Sequence, residues 1–478
     1  MAYEIKFGTD GWRDVIGDGF TFANVKRAAQ AACDVARKES KSRLILIGFD
    51  RRFFSDRFAE AAASVAAGNG FRVELASQPI SSPTLSFHVH QRRAAMGFMI
   101  TASHNPYRFN GFKLKGVHGG SVDESVTKAV EARLDISDIQ TAPPPSKRAD
   151  FIPAYLASVK ARVKPSLARL KSPVVFDAMH GPGGLLFEQL TGHSEKAIVI
   201  RSEVDPLFGG VNPEPIDKNL QALIDKVRAT KASAGIAVDG DVDRIGLVDD
   251  KGRYLPPHTV MPLLLLHLVE DRKLKGKVIQ TVSMGYLPGR IAAHFKLPFE
   301  MTPVGFKYIA KKMLSEKVVL GGEESGGYGV GLWSPERDGL LCALLIIEML
   351  AMRRMPLSAI VDDLYARFGA SNFQRIDISL DNPLEKEAWT QKVAASFGAE
   401  VAGQAVKSVL TVDGVRLTLA DDSWLLMRPS GTEPLLRTYS ESPKAETVNA
   451  LLAEAQRLAA AAVAKKPAVE AKKTKKRR

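Results

Sequence analysis

A chain of 478 residues, 45% hydrophobic and 25% charged, has the composition of a soluble globular protein and is too long for one ordinary core, so three or four domains are expected. The longest unbroken apolar run, residues 340–347, falls well short of the roughly 20 residues of a membrane span, and the N-terminus has no basic segment leading into an apolar one, so a cytoplasmic location is expected and a membrane partner is not. The formal net charge of +13 is uneven: residues 465–478 hold eight basic residues and one acid, and the mild excess left on the body suits an anionic substrate.

Residues 7–13 form a turn-rich stretch ending in the cation Arg13. Thr21 is a plausible cap for a helix over 20–40, followed by a strand at 44–50 apolar enough to be buried on both faces. A second helix, a strand at 71–76 and another at 94–100 continue the alternation, and the last runs into Thr101-Ala102-Ser103-His104-Asn105-Pro106. Pro106 disfavours helix at Asn105, so Ser103 is expected on an exposed loop at a strand end, a usual address of reacting groups in α/β proteins. Pro143, Pro144 and Pro145 mark a linker. A second unit follows, with strands at 173–176, 197–201, 234–238 and 245–248, and Asp239, Asp241 and Asp243 lie between the last two. A third has a helix at 260–269, strands at 277–282 and 318–320, and a Gly-rich loop bearing Glu323, Glu324 and Ser325. Beyond residue 371 the texture changes, with strands at 375–380, 415–419 and 424–427, a loop at 428–434, and a closing helix at 445–463. Cys33 and Cys342 sit in apolar segments and read as reduced core residues. The basic tail is low in apolar residues and is expected to be disordered, with nucleic acid or another polyanion as a potential contact.

Three carboxylates alternating on an extended segment repel one another and need a cation if all are ionised. Hard oxygen ligands of this kind suit Mg²⁺ or Ca²⁺; an EF-hand is excluded by Arg244 at the position that needs Gly and by flanking strands instead of helices. A solvated acidic turn is the competing reading, and the apolar strands on both sides oppose it. Arg428, Ser430, Gly431 and Thr432, with Arg437 nearby, offer guanidinium, hydroxyl and backbone N–H groups to a phosphate, although a surface turn with a cation has the same letters. Glu323 and Ser325 among glycines offer acceptors and a hydroxyl to a sugar, a weak signal alone. No nucleotide P-loop and no Gly-x-Ser-x-Gly elbow occurs, and His104 on an extended chain would project away from Ser103, so a serine hydrolase fits poorly. A serine, a metal site and phosphate anchors together fit phosphoryl transfer.

These loops, in this order, resemble the α-D-phosphohexomutases, the phosphoglucomutase and phosphomannomutase family. The resemblance covers residues 3–463. It implies three similar α/β domains with mixed, largely parallel sheets (1–147, 148–252, 253–370) and a smaller α+β domain (371–464) around a central cleft, followed by the tail, 465–478. It implies a cytoplasmic, monomeric or dimeric isomerase in which Ser103 is a phosphoserine. A hexose 1,6-bisphosphate would be activator and intermediate, and Mg²⁺ would be held by Ser103, Asp239, Asp241 and Asp243. Arg13, Lys113 and Arg244 would be cations near the phosphoserine, Lys113 a candidate acid/base, His104 a further neighbour, and Lys307 a ligand contact. Gly327 departs from the histidine that many bacterial members carry at the end of the sugar loop, which loosens the choice of sugar. Glu324 in the variable slot favours glucose 1-phosphate and glucose 6-phosphate as substrates, with mannose or glucosamine phosphate as alternatives. A polyanion-binding protein acting through its tail is the reading from another class.

Overall fold

A computed structural model describes residues 3–8, 10–192, 194–332, 334–430 and 434–463, so the basic tail and the expected phosphate contacts Gly431 and Thr432 lie outside the described residues. Two compact units divide the chain, Met1–Phe368 and Gly369–Arg478.

The first unit holds three sheets built to one plan. In the first, β2 (Leu44–Phe49) lies between β3 (Arg72–Leu75) and β4 (Met96–Ile100), all parallel; β5 (Phe109–Lys115) runs antiparallel to β4, and β1 (Trp12–Val15) antiparallel to β5. In the second, β6 (Val174–Asp177) is flanked in parallel by β7 (Ala197–Ile200) and β8 (Ala234–Val238), then β9 (Ile245–Asp249) and β10 (Tyr254–Leu255) follow antiparallel. In the third, β11 (Lys277–Thr281) is flanked in parallel by β12 (Phe299–Thr302) and β13 (Val318–Gly322), with β14 (Tyr328–Val330) antiparallel to β13. Strand order is thus second–first–third–fourth three times over. The reversing turn from third to fourth strand carries Ser103 in one sheet, Asp239 to Asp243 in the next and Glu323 to Ser325 in the last. The fold brings three equivalent loops together.

Sequence reasons for these elements are plain. Every residue of β2 is apolar or Gly and buried, as in a sheet covered by helices on both faces. Thr21 caps the helix Phe22–Glu39 by accepting from the Asn24 N–H. The run at 340–347 lies in the buried helix Gly339–Arg353, and among the described residues no helix is long and apolar enough to cross a membrane. The helix expected at 260–269 is Pro257–Leu266 and widens into a π-turn at His267–Asp271, where His267 is wholly buried between two carboxylates. Cys33 and Cys342 are buried free thiols.

The second unit is a six-stranded antiparallel sheet, ordered β15 (Asn372–Ser379), β20 (Leu435–Ser442), β19 (Trp424–Pro429), β18 (Val415–Leu419), β17 (Gln404–Leu410), β16 (Glu400–Val401). The helix Ala445–Val463 buries Val448, Leu451, Leu452 and Ala455 in a core shared with Leu417, Leu425 and Met427. Three of these strands escape the apolar pattern. In β20 the reason is that its interior is polar: Glu441 Oε2 accepts from Trp424 Nε1 at 2.7 Å and Ser440 Oγ donates to Trp424 O at 2.9 Å.

Candidate active site

Ser103, three residues past β4, is not exposed as expected: only 1% of its surface is accessible. Its backbone is left-handed (φ 53°), which turns the chain sharply. His104 therefore does not project away as it would from an extended chain, and its Nδ1 lies 3.4 Å from Ser103 Oγ. Burial, then the charges of Arg244 and Arg13, hold the His104 ring well below its ordinary titration range, so it is neutral. Ser103 Oγ donates to Asp239 Oδ2 at 2.8 Å.

Asp239, Asp241 and Asp243 are completely buried, and one oxygen of each falls within 4.8 Å of the others. Two helix N-termini approach this turn: Ser82 donates its N–H to Asp241 O (2.9 Å) and its Oγ to Asp241 Oδ2 (2.5 Å), while Gly339 N–H donates to Val242 O (2.9 Å). Partial positive charge at helix starts favours anions there. Burial, followed by repulsion from Asp243 and Asp241, pushes Asp239 well above the usual carboxylate range. Asp241 goes the other way, because Lys113 more than offsets its burial. A divalent cation fits this set on direct grounds: the carboxylates are hard donors, and the buried Asp241 Oδ1 and Asp243 Oδ1 have no hydrogen-bond partner among the described residues.

Lys113, on β5, spans the first two domains with Nζ 2.7 Å from Asp241, 3.2 Å from Asp243 and 2.8 Å from Asp10. Burial lowers its pKa but those three carboxylates override it and push the ammonium above its ordinary value. An acid/base near neutral pH would need the opposite shift; facing these three carboxylates, Lys113 carries a positive charge. Arg13 Nη1 donates to Asn105 Oδ1 (2.7 Å), and the Arg244 backbone N–H donates to Asp239 Oδ1 (3.0 Å).

The third loop docks beside them, with Ile245 N–H donating to Gly326 O at 2.9 Å. Glu323 is 5% exposed, and burial pushes its carboxyl up to about 7 against the pull of Arg337. Ser325 is half-buried. Glu324 instead accepts from Ser283 Oγ (2.5 Å) and Thr281 Oγ1 (3.2 Å) at the end of β11, so its carboxylate is already engaged. A Cβ at Gly327 would sit 2.4 Å from Arg337 Cδ, so a side chain there would have to displace Arg337. Arg337 itself reaches Asp10 (2.9 Å), Asp243 (2.8 Å) and Glu323 (3.3 Å). Lys307 is not gathered into this cluster; its Nζ pairs with Glu124 at 3.0 Å.

In the second unit, Arg428 and Arg437 are cross-strand partners on β19 and β20, and Arg428 Nε donates to Asp413 Oδ2 at 2.8 Å. Ser430 is buried and its N–H donates to Leu435 O at 2.8 Å.

Family models for phosphoglucomutase/phosphomannomutase match in order: alpha/beta/alpha domain I over residues 4–140, domain II over 153–252, domain III over 256–368 and the C-terminal domain over 381–458. The chain belongs to this family, the α-D-phosphohexomutases. A crystal structure of a Thermus thermophilus protein named for phosphomannomutase shares its fold, with TM-score 0.83 and 33% identity over 96% of this chain and 99% of that one. A phosphoglucomutase/phosphomannomutase of Thermococcus kodakarensis is 28% identical over 92% of this chain and 95% of its own. A phosphoglucosamine mutase of Chelativorans sp. is 29% identical over 93% and 96%. Relatives so named are all mutases, and their sugars differ.

The phosphohexomutase also has residues at this centre that were not among the expected site residues. Asp10 and Arg337 are 327 positions apart yet share an ion pair, and Asp50, Arg52 and Ser82 support the loops from behind. A charged Glu-Arg-Asp-Gly segment at 336–339, set between two apolar stretches, is a signal that could have drawn notice to Arg337.

Proposed function

We propose that the chain is a Mg²⁺-dependent phosphohexomutase that interconverts glucose 1-phosphate and glucose 6-phosphate through phosphoserine at Ser103 and a glucose 1,6-bisphosphate intermediate. The observation that carries this reading is the buried Ser103 Oγ held 2.8 Å from Asp239 inside a carboxylate cluster with two unpartnered oxygens.

With phosphate on Ser103, a free hydroxyl of the hexose monophosphate attacks phosphorus, the P–Oγ bond breaks, and the proton lost by the hydroxyl is balanced by the one gained at Ser103 Oγ. The bisphosphate then turns over, and its other phosphate returns to Ser103 by the reverse exchange. Asp239, Asp241 and Asp243 would hold Mg²⁺ together with a phosphoserine oxygen, and when bound the ion would supply charge neutralisation at the transferring phosphoryl group. Arg13, Lys113 and Arg244 supply fixed positive charge beside it. Glu323 and Ser325 are assigned to the sugar hydroxyls, Arg428, Ser430, Gly431, Thr432 and Arg437 to the non-reacting phosphate, and Lys307 to the ligand in an arrangement that releases Glu124. Glucose is retained on Glu324 in the variable slot, with mannose or glucosamine phosphate as alternatives, since the relatives' names span all three sugars.

The test is a panel of glucose, mannose and glucosamine 1-phosphates with Mg²⁺ and a trace of the matching bisphosphate, run on wild type and Ser103→Ala. Glucose 1-phosphate should give the highest kcat/KM, and S103A should lose at least about 10⁴-fold in kcat, as removal of a covalent carrier does. Near-normal S103A turnover would sink the phosphoserine cycle; a preference for another hexose would reassign the sugar. Polyanion contact by residues 465–478 is a separable accessory property, and deleting them should weaken retention on heparin without changing kcat.

A further inference from the structure

Behind Ser103 lies a buried arginine that the chemistry above does not use. Arg52, 3% exposed, sits three residues past β2 and carries five N–H donors. Four are spent on backbone carbonyls of the Ser103 loop: Nη2 donates to Ser103 O (2.6 Å) and Asn105 O (2.7 Å), Nη1 to Pro106 O and Phe109 O (3.0 Å each). Nε faces Asp50 Oδ2 at 3.2 Å. Asp50 accepts Thr101 Oγ1 at 2.6 Å, and Thr101 Oγ1 in turn accepts the Ser103 N–H at 2.9 Å. The two sides of the Ser103 peptide, its N–H and its C=O, are therefore both tied to one Asp50–Arg52 unit. A serine at φ 53° costs energy and persists only where its surroundings over-determine it.

The second domain completes the arrangement. Phe208, itself left-handed (φ 55°) and 1% exposed, places its ring 4.9 Å from the Arg52 guanidinium carbon. Its turn is fixed by Asp205, which accepts from the N–H groups of Leu207 (2.9 Å) and Gly209 (2.8 Å). A few residues on, Pro213 O accepts the Gly240 N–H of the Asp239 turn at 3.2 Å, and a Cβ on Gly240 would lie 2.5 Å from Ser103 O. One loop of the second domain thus leans on Arg52 with one residue and on the carboxylate turn with another.

We infer that Arg52, seated against Phe208, is a positioning residue that locks the Ser103 loop and sets the distance between Ser103 Oγ and Asp239 for phosphoryl transfer. Arg52 touches no reacting atom, so it acts through placement, and the inference rests on Ser103 being the phosphoryl carrier. Lysine keeps the charge but, with three donors on a point-like ammonium, cannot span four carbonyls.

The experiment measures kcat, KM, melting temperature and the fraction of phosphorylated Ser103 by intact mass after incubation with glucose 1,6-bisphosphate, on wild type, Arg52→Lys and Phe208→Leu. For R52K we expect a folded enzyme with KM within about threefold, kcat lower by about 100-fold, the scale of a 1 Å misplacement, and a changed steady-state phosphoserine fraction. F208L should lose about 5- to 20-fold in kcat in the same sense. A folded R52K with kcat within threefold of wild type overturns the inference, as does a kcat loss that merely tracks the folded fraction. Should R52K not fold, F208L decides: unchanged kcat overturns it. An inactive wild type, or an active S103A, would instead fail the phosphoserine reading.

Discussion

Two residues at this centre hold backbone conformations that their side chains disfavour: Ser103 at φ 53° and the β-branched Val242 at φ 64°. Each costs of order 1–3 kcal/mol and marks a place where geometry is set by the neighbours. Glu323 is costly in another currency, since burial lifts its carboxyl from the ordinary 4.5 to about 7. Between those values the folded chain holds a proton that the unfolded chain has released, so the contribution of Glu323 to stability falls as pH rises through this window. Its acceptor strength toward sugar hydroxyls moves oppositely, growing as it ionises. The kcat/KM for the preferred hexose phosphate should therefore rise between pH 6 and 8 with an inflection near 7. Glu323→Gln should lower the plateau by about 10- to 100-fold and remove the inflection, which a pH–rate profile of both proteins checks. An unchanged inflection in E323Q would assign it to another group, such as the substrate phosphate. At this scale the sequence was informative where a motif is local. Asp239, Asp241 and Asp243 announce themselves within five positions, whereas Arg337, Asp10 and Arg52 gain meaning only from partners brought near by folding.

At the scale of elements, the three sheets repeat one strand order, and this was only faintly legible because the fourth strand is mixed in polarity in the first sheet and three residues long in the third, leaving only β9 of the second to be expected. In β5, Lys113 and Lys115 are buried but ion-paired, so a polarity pattern hides a core strand. The π-turn at His267–Asp271 is a similar case, since its i→i+5 geometry leaves no mark in an apolar periodicity. There His267 contacts Asp271 through Nδ1 (2.9 Å) and Glu348 through Nε2 (3.1 Å). Burial alone would lower its pKa, but those two carboxylates override it and raise the imidazole above its ordinary value. A raised folded value means stability that is fully present below the ordinary 6.5 and is lost as pH rises through the folded pKa. Substituting His267→Gln should cost about 1.5–3 kcal/mol near pH 6, the range for hydrogen bonds to charged groups, and less near pH 9. Denaturant midpoints at the two pH values test this; an equal loss at both would mean that packing, not charge, is what His267 contributes.

On the scale of the molecule, the first unit is held at its centre by charge as well as by cores. Lys113 from the first domain and Arg337 from the third both reach carboxylates of the second, and Asp10 pairs with both cations. A divalent cation bound by Asp239, Asp241 and Asp243 would strengthen a junction on which three domains converge, so its effect should spread beyond its ligands. Saturating Mg²⁺ at about 100 times its dissociation constant should stabilise the unit by about 2.7 kcal/mol relative to EDTA. Hydrogen exchange is the discriminating measurement. Protection should rise in the β4–β5 loop, the β8–β9 turn and residues 336–339 together, with no change in β18 to β20, and Asp241→Asn should abolish the response. Protection confined to residues 239–243 would mean that the ion binds locally and that the charged junction holds without it. A response in all three regions would identify the metal as part of the architecture that holds Ser103 against its carboxylates.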